Sequence, residues 1–272
     1  MKIKNKQFGL TIIELLVVIG IIAAVVAISL PAINAMQKSF DSTGAESMIS
    51  AALSTARTLA ISRQQYVGVR FQTSYKPEDV LDEEQYMIFI VFSDEKTTTN
   101  FDCGFMAVPG YKPMKLPENI GVIDKTIRTP RTLKTCNDPV PYSELPLTNF
   151  SNIVDIVDTT TFSIVFSPAG KLVIHEVRCR NNDQAKDDAT KDTVFNTRNN
   201  IVVAGIPTGM FVEDYLTDGD GLGVEKSRNK FYIYDREKLR KMTDTTQRWD
   251  YIDSIKDPSY INPYTGGIID KN

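Results

Sequence analysis

The chain has few of the residues that usually build an active site. A single histidine, His175, stands among 272 residues. Neither a Gly-x-Ser-x-Gly nucleophile motif nor a Gly-x-x-x-x-Gly-Lys phosphate loop occurs. A catalytic triad would have to use His175, which lies in a predicted strand, and we interpret it as a structural or surface residue. We therefore expect a protein that is not an enzyme and needs no cofactor.

Cysteine is also scarce. The three cysteines, Cys103, Cys136 and Cys179, follow no zinc-binding spacing. Outside the cytoplasm one disulfide could form. Cys103 with Cys136 is the preferred pair because both lie in an irregular, proline-containing region. Three reduced thiols are the alternative.

Positive charge is in slight deficit. The chain has 31 basic and 34 acidic residues, for a formal charge of −3. One basic cluster recurs at every third position and consists of Lys125, Arg128, Arg131 and Lys134. A proline interrupts it, and no aromatic residues are interleaved for base stacking. We interpret the cluster as a solvated loop and expect no nucleic-acid partner.

What the sequence does have is a long apolar run near its start. From Leu10 to Ile33 the one charged residue is Glu14, and three lysines precede the run. A helix of this length crosses much of a bilayer at about 1.5 Å per residue. The positive-inside rule keeps the lysines cytoplasmic and exports the rest of the chain. A cleaved secretory signal and an uncleaved signal anchor are the competing interpretations.

The stretch Gly9-Leu10-Thr11-Ile12-Ile13-Glu14-Leu15-Leu16 resembles the prepilin signature of type IV pilins and type II secretion pseudopilins. The resemblance implies that residues 1–9 are a leader peptide, which a prepilin peptidase removes by cleaving between Gly9 and Leu10. It also implies N-methylation of Leu10, where phenylalanine or methionine is commoner in the family. Cleavage would leave 28 basic against 34 acidic residues, a formal charge of −6.

The same resemblance assigns roles further along the helix. Residues 10–33 would be the transmembrane and assembly helix, and Pro31 would kink it. Glu14 would act in assembly, because a carboxylate in lipid is costly and the positive amino terminus of a neighbouring subunit would neutralise it.

The implied partners are other pilin or pseudopilin subunits, the prepilin peptidase, the inner-membrane assembly platform and membrane lipid. The implied location is the bacterial inner membrane, crossed once, with the C-terminal domain in the periplasm. The subunit would then enter a periplasmic or extracellular fibre.

Beyond the apolar run, residues 34–63 are predicted to continue the helix in amphipathic form. Apolar residues recur at spacings of three and four: Ala45, Met48, Ile49, Ala52, Leu53, Ala56, Leu59 and Ala60. We expect this stripe to pack on a sheet.

Strand patterns dominate the periplasmic domain, predicted at 64–272. They lie at Tyr66–Phe71, Gln85–Phe92, Thr161–Phe166, Lys171–Val177, Asn200–Ala204, Asn229–Tyr234 and Gly267–Asp270. One short helix is predicted at Asp235–Met242 with Asp235 as its cap, and no other helical pattern of any length is evident. The predicted fold is α+β and pilin-like, with the long helix on a mainly antiparallel sheet.

Two further segments resemble the GspH/FimT group of minor pseudopilins. The first is the end of the long helix, where Arg57, Ala60, Ile61 and Arg63 follow an "AR..AI.R" pattern. The second is Phe166-Ser167-Pro168-Ala169-Gly170-Lys171, which resembles the "F.P.G" hairpin. Solvated helix charges and an ordinary turn are the alternatives.

One acidic loop suggests a metal. Asp214, Asp218, Asp220 and Glu225, with a glycine between them, partly follow the twelve-residue calcium loop. Leu216 occupies a position where a ligand is expected. A calcium site is one hypothesis, and a simple glycine and aspartate turn is the alternative.

Together these patterns predict a minor pilin or pseudopilin, a structural subunit of a type II secretion or type IV pilus-like fibre. Two alternatives remain. One is a signal-anchored periplasmic binding or enzymatic domain, which would keep residues 1–9. The other is a minor pilin that captures DNA for uptake, which shares the processing and differs by binding DNA.

Overall fold

The structure, a computed structural model, describes residues 12–75, 81–94, 104–128, 144–150, 154–181, 194–198, 201, 210–214 and 223–269. For Glu14 and residues 23–41 it describes the backbone alone. The chain divides into two compact units, Met1–Thr43 and Gly44–Asn272.

Helix α1 (Ile12–Arg63) opens the chain. The other helices are α2 (Val154–Thr159), α3 (Arg236–Arg240) and α4 (Thr245–Ser254). The strands are β1 (Val67–Thr73), β2 (Gln85–Ser93), β3 (Gly104–Ala107), β4 (Met114–Lys115), β5 (Ile120–Ile123), β6 (Thr126–Arg128), β7 (Glu144–Pro146), β8 (Phe162–Phe166), β9 (Leu172–Val173), β10 (Glu176–Val177), β11 (Phe195–Asn196), β12 (Phe211–Val212), β13 (Glu225–Lys226), β14 (Lys230–Asp235), β15 (Ser259–Ile261) and β16 (Ile268–Ile269).

The largest sheet has the strand order β3-β2-β1-β8-β9, and β4 also pairs with β2. Its named strand pairs are all antiparallel. In the middle of the sheet, Val69 of β1 lies between Phe89 of β2 and Ile164 of β8. Among the described strand pairs, β11 with β12 is parallel. The predicted α+β class with a mainly antiparallel sheet is confirmed.

One face of this sheet packs on the second part of α1. Six of the eight predicted stripe residues are buried, and Met48 and Leu59 are partly buried against the same cluster. Alternate strand residues such as Val69, Phe71 and Phe89 complete this apolar core. The amphipathic stripe is therefore confirmed.

The opposite face of the sheet is mixed. On β2, Ile88 and Ile90 join a second apolar cluster, so this strand is covered on both sides, as its continuous apolar run predicts. On β1, however, Arg70 and Gln72 point to the second face and are fully or almost fully buried. Buried polar groups require partners, and the candidate site is built from them.

A second sheet has the order β16-β15-β14-β5. The side chain of Gln85, on β2 of the first sheet, connects the two sheets by hydrogen bonds. Its Nε2 donates to Val122 O at 2.9 Å and to Thr160 O at 2.7 Å, and its Oε1 accepts from Val122 N at 2.8 Å. One amide thus satisfies three buried backbone groups on two other segments.

The predicted elements need two corrections. Helices α2 and α4 have no counterpart among the predicted helices, because α2 has only six residues and α4 has one buried residue, Ile252, among its ten. The strand predicted at Lys171–Val177 is divided into β9 and β10, since the Ser227 hydroxyl donates to Val173 O and accepts from His175 N between them.

The other predicted helices and strands either agree with the structure or are not tested by it. The cap on α3 is confirmed, since the Asp235 side chain accepts from Lys238 N at 2.9 Å. The strand predicted at 200–204 falls almost wholly outside the described residues.

Candidate functional site

The first turns of α1 present apolar side chains in every direction. Leu15 to Ile19 are each between 46% and 65% exposed. Five successive residues cover more than one helical turn, so this part of the helix has no polar side. A helix that is apolar all round belongs inside a protein bundle or a membrane.

The predicted processing and assembly residues lie at and before this segment. Gly9 and Leu10 fall outside the described residues. Glu14 and Pro31 lie within α1, whose helical backbone continues through both, and the kink at Pro31 stays a prediction. In the part of the chain that the structure describes, no helix has the length and apolar character required to span a membrane.

The two segments that resemble the GspH/FimT group meet in the structure. The Arg57 Nε donates to Gly170 O at 3.0 Å. Gly170 has a φ of +73°, and a Cβ built there would lie 2.6 Å from Ile61 Cδ1. Arg57 is therefore not a freely solvated charge, and the positive φ favours glycine at residue 170.

A buried ion network lies on the second face of β1. Arg70 donates to Asp214 Oδ1 at 2.6 Å and to Glu225 Oε1 at 3.2 Å. Its Nε donates to Gln72 Oε1 at 2.6 Å, and the side chains of Arg70, Asp214 and Glu225 are all 0% exposed. The Ser163 hydroxyl adds a bond to Glu225 Oε1 at 2.6 Å.

Arg128 is the second cation of this network. It contacts Glu225 Oε2 at 2.8 Å, Asp214 Oδ1 at 3.3 Å and Asp158 Oδ1 at 3.2 Å. Burial alone would lower the pKa of Arg128, but Glu225 and Asp214 raise it above its usual value. The interpretation of Arg128 as part of a solvated loop is therefore wrong.

Of the other three residues in the predicted basic cluster, the structure describes only Lys125. Lys125 is half-buried, donates to Ile255 O at 2.7 Å and lies 4.3 Å from the centre of the Tyr232 ring. Arg131 and Lys134 fall outside the described residues. The prediction that nucleic acid is not a partner stays a prediction.

Two of the four predicted calcium ligands belong to this network. The carboxylates of Asp214 and Glu225 each contact both Arg70 and Arg128. Asp218 and Asp220 fall outside the described residues. Within the described ranges, no group of three or more histidine, cysteine, aspartate or glutamate side chains is arranged to hold a metal ion. The calcium hypothesis therefore remains untested.

A third arginine extends the charged region. Arg228 donates through Nε to Asp124 Oδ2 at 2.6 Å, and its Nη1 and Nη2 bind both oxygens of Glu144 at 2.9 and 3.0 Å. Burial raises the pKa of Asp124 to about 7, against the opposing effect of Arg228. Burial likewise raises the pKa of Asp158 to about 6, against the opposing effect of Arg128.

Among the described residues, His175 and Cys179 do not join this network by side-chain bonds. The His175 ring packs 4.5 Å from the Tyr66 ring, measured between centroids, and Nδ1 bonds to Glu176 O at 2.5 Å. Cys179 is a buried free thiol whose pKa is raised by burial. Cys103 and Cys136 fall outside the described residues, so their disulfide stays a prediction.

Neither the two meeting segments nor the arginine network was predicted as a site. The paired partners are far apart in sequence, by 113 residues for Arg57 and Gly170 and by 144 for Arg70 and Asp214. Two signals were available: the arginine in the mostly apolar strand pattern of β1, and the acidic residues Asp214 and Glu225, which the sequence suggested as calcium ligands.

Comparison with known proteins gives one match, at the N-terminal end. Residues 4–30 match the prokaryotic N-terminal methylation motif. The comparison with curated proteins and the comparison with solved structures give no match. The motif is typical of substrates of prepilin peptidase, which are made as membrane-anchored precursors. It supports the type IV pilin and pseudopilin family for this chain.

Proposed function

We propose that this chain is a structural subunit, a minor pilin or pseudopilin, of a type II secretion or type IV pilus-like fibre. It would act by assembly, without catalysis and without a cofactor. The observation that supports this function is the methylation motif over residues 4–30, which contains Gly9, Leu10 and Glu14. The apolar surface on every side of α1 between Leu15 and Ile19 agrees with an assembly role.

In the proposed sequence of events, residues 10–33 hold the precursor in the inner membrane with the C-terminal domain in the periplasm. Prepilin peptidase hydrolyses the bond between Gly9 and Leu10 and leaves a positive amino terminus, which is then methylated. The Glu14 carboxylate is costly in lipid. The amino terminus of a neighbouring subunit in the assembly neutralises it, so packing of the helices relieves the cost.

Within the family, we propose the GspH/FimT group of minor pseudopilins. The support is the contact between Arg57 and Gly170, which joins the two segments that resemble this group.

Cleavage is the direct test. The full chain, co-expressed with an active prepilin peptidase, should lose the mass of residues 1–9, and Gly9→Ala or the bulkier Gly9→Val should prevent the loss. Gly20→Ala is the matched control, since nothing lies within 4 Å of a Cβ built on Gly20. An intact N-terminus beside a peptidase that processes another substrate would contradict the proposal and favour an uncleaved anchor.

Glu14 separates processing from assembly. Glu14→Ala and the uncharged, similarly shaped Glu14→Gln should be cleaved and inserted normally but should assemble poorly, because the amino terminus of the neighbour loses its partner. Cross-linking of neighbouring subunits measures assembly. Glu46→Gln, on the same helix at a half-buried position, is the control. Normal assembly of both Glu14 variants would remove this role.

A further inference from the structure

The charged region contains more carboxylates than arginines. The contacts described above join three arginines (Arg70, Arg128 and Arg228) to five carboxylates (Asp124, Glu144, Asp158, Asp214 and Glu225). Arg180 and Glu213 are two further buried residues, next along the chain to Cys179 and Asp214. Because their charges are opposite, they do not change the difference between the numbers of carboxylates and arginines. Among the described residues, a fully ionised network would have an excess of two negative charges.

An uncompensated negative charge in a buried region is costly, and binding a proton removes it. The contacts show how the three arginines are shared among the carboxylates, and therefore which carboxylate has its charge compensated least. Asp214 and Glu225 each contact two arginines. Asp124 contacts one, Arg228, which also binds both oxygens of Glu144.

Asp124 is also the less exposed of the two carboxylates that contact Arg228. Its side chain is 2% exposed, whereas that of Glu144 is 15% exposed. Asp124 is therefore the most deeply buried of the carboxylates that contact a single arginine. Asp158 is the next candidate, since it contacts Arg128 alone and is 14% exposed.

Asp124 connects several elements of the fold by hydrogen bonds. It lies between β5 and β6, its Oδ1 accepts from Thr126 N at 2.9 Å, and its backbone N–H donates to Thr159 O at 3.0 Å. Through Arg228 it is joined to Glu144 of β7. The charged groups facing these hydrogen bonds are Arg228 and Glu225 from the β13 region, Glu144 from β7, Arg128 from β6 and Asp158 from α2.

We propose that this network is a proton-responsive contact that holds strands β6 and β7 to the domain, in which Asp124 holds a proton that it releases to solvent as the pH rises. With the proton bound, the contacts of Asp124 with its neighbours are kept. After its release, the extra buried charge favours exposure of Asp124 and weakens the attachment of these two strands. The protein is therefore most stable in mildly acidic surroundings.

The sign agrees with the titration of these groups. Burial raises the pKa of Asp124 to about 7 and that of Asp158 to about 6. The folded state therefore binds protons more tightly than the unfolded chain, and stability falls as the pH rises through these values. Glu84 and Asp253 have lowered pKa values, so their effect on stability belongs to a more acidic range.

The test is thermal unfolding of the full chain in mild detergent at several pH values. The single tryptophan, Trp249, reports locally because it packs on the cluster that contains Ile123. The Tm should fall by about 5 °C between about pH 5.5 and about pH 8.5. Asp124→Asn, which fixes the uncharged form, should flatten this slope, and Asp158→Asn should reduce it.

Two control variants should keep the slope. Asp82→Asn removes a carboxylate that is 52% exposed and pairs with Arg240. His175→Gln removes the one imidazole, the other side-chain type that commonly titrates in this range. A slope that disappears in His175→Gln, persists in Asp124→Asn, or is flat or reversed in the parent protein would overturn the proposal.

Hydrogen exchange provides a readout that does not depend on the variants folding. Amide exchange in residues 120–128 should accelerate at the higher pH, after correction for the intrinsic rate, while exchange in β1 and β2 stays constant. Equal protection of the two regions at both pH values would contradict the local loosening.

Discussion

The two faces of β1 are built from alternate residues of one strand, yet different forces hold them. On one face, Val67, Val69 and Phe71 are fully buried against the stripe of α1. On the other face, Arg70 and Gln72 are just as deeply buried and are held by hydrogen bonds and ion pairs. Apolar packing is nondirectional and depends on volume, whereas the ion network requires particular partners.

The difference teaches which changes each face tolerates. Removing apolar atoms from the apolar face lowers the free energy of unfolding, both by the transfer free energy of the lost atoms and by the energy of the cavity left behind. On the polar face, removal of one charge leaves its partners buried and unpaired, which costs more than the pair contributes. Single substitutions on the two faces therefore test whether this comparison is correct.

The largest effect is expected for Arg70→Met. The change keeps much of the side-chain volume but leaves Asp214 and Glu225 short of a partner, so the free energy of unfolding should fall by about 4 kcal/mol. Urea unfolding followed by Trp249 fluorescence measures it.

Arg240→Met is the matched control for Arg70→Met. The ion pair of Arg240 with Asp82 is about half exposed on both sides, and such pairs contribute little. Equal effects of the two arginine substitutions would show that burial of the network is not what matters.

On the apolar face, Leu53→Ala should lower the free energy of unfolding by about 3 kcal/mol. Leu53 is fully buried between α1 and the sheet, so the lost methyl groups leave a cavity. Ser54→Ala, one residue away on the exposed side of α1, should change it little. A small effect of Leu53→Ala would mean that the helix contributes less to this core than its burial indicates.

The smallest effects come from two neighbours on β8 that point to opposite faces. Ser163→Ala removes the bond to Glu225 and should cost about 1 kcal/mol. Ile164→Val removes one buried methylene and should cost about 1 kcal/mol. Double-mutant cycles separate them, since Ser163→Ala should couple with Glu225→Gln and Ile164→Val with Leu53→Ala. Coupling across the sheet would contradict independent faces.

The apolar face was predictable from the sequence, and the polar face was not. The stripe of α1 repeats with the period of a helix, β1 loosely alternates, and β2 is a continuous apolar run, so their burial could be predicted directly. The network joins Arg70 to Asp214 across 144 residues, and no local pattern records such a pairing. Arg128 was assigned to a solvated loop for the same reason.

Short elements were also beyond the sequence patterns. Strands β4 and β12 have two residues each, which is too few for an alternation to appear. The methylation motif is the opposite case. It is defined by the order of residues along residues 4–30, so it can be recognised without any knowledge of tertiary structure.

The buried network has a consequence for chain length. Asp214 and Glu225 are fixed on the same arginines, and Gly223 N donates to Asp214 O at 3.3 Å. Asp214 and Gly223 are thus held close together by groups of the domain itself. Lengthening a segment with fixed ends has a slowly growing entropic cost. A peptide inserted between Asp214 and Gly223 should therefore lower the free energy of unfolding only slightly.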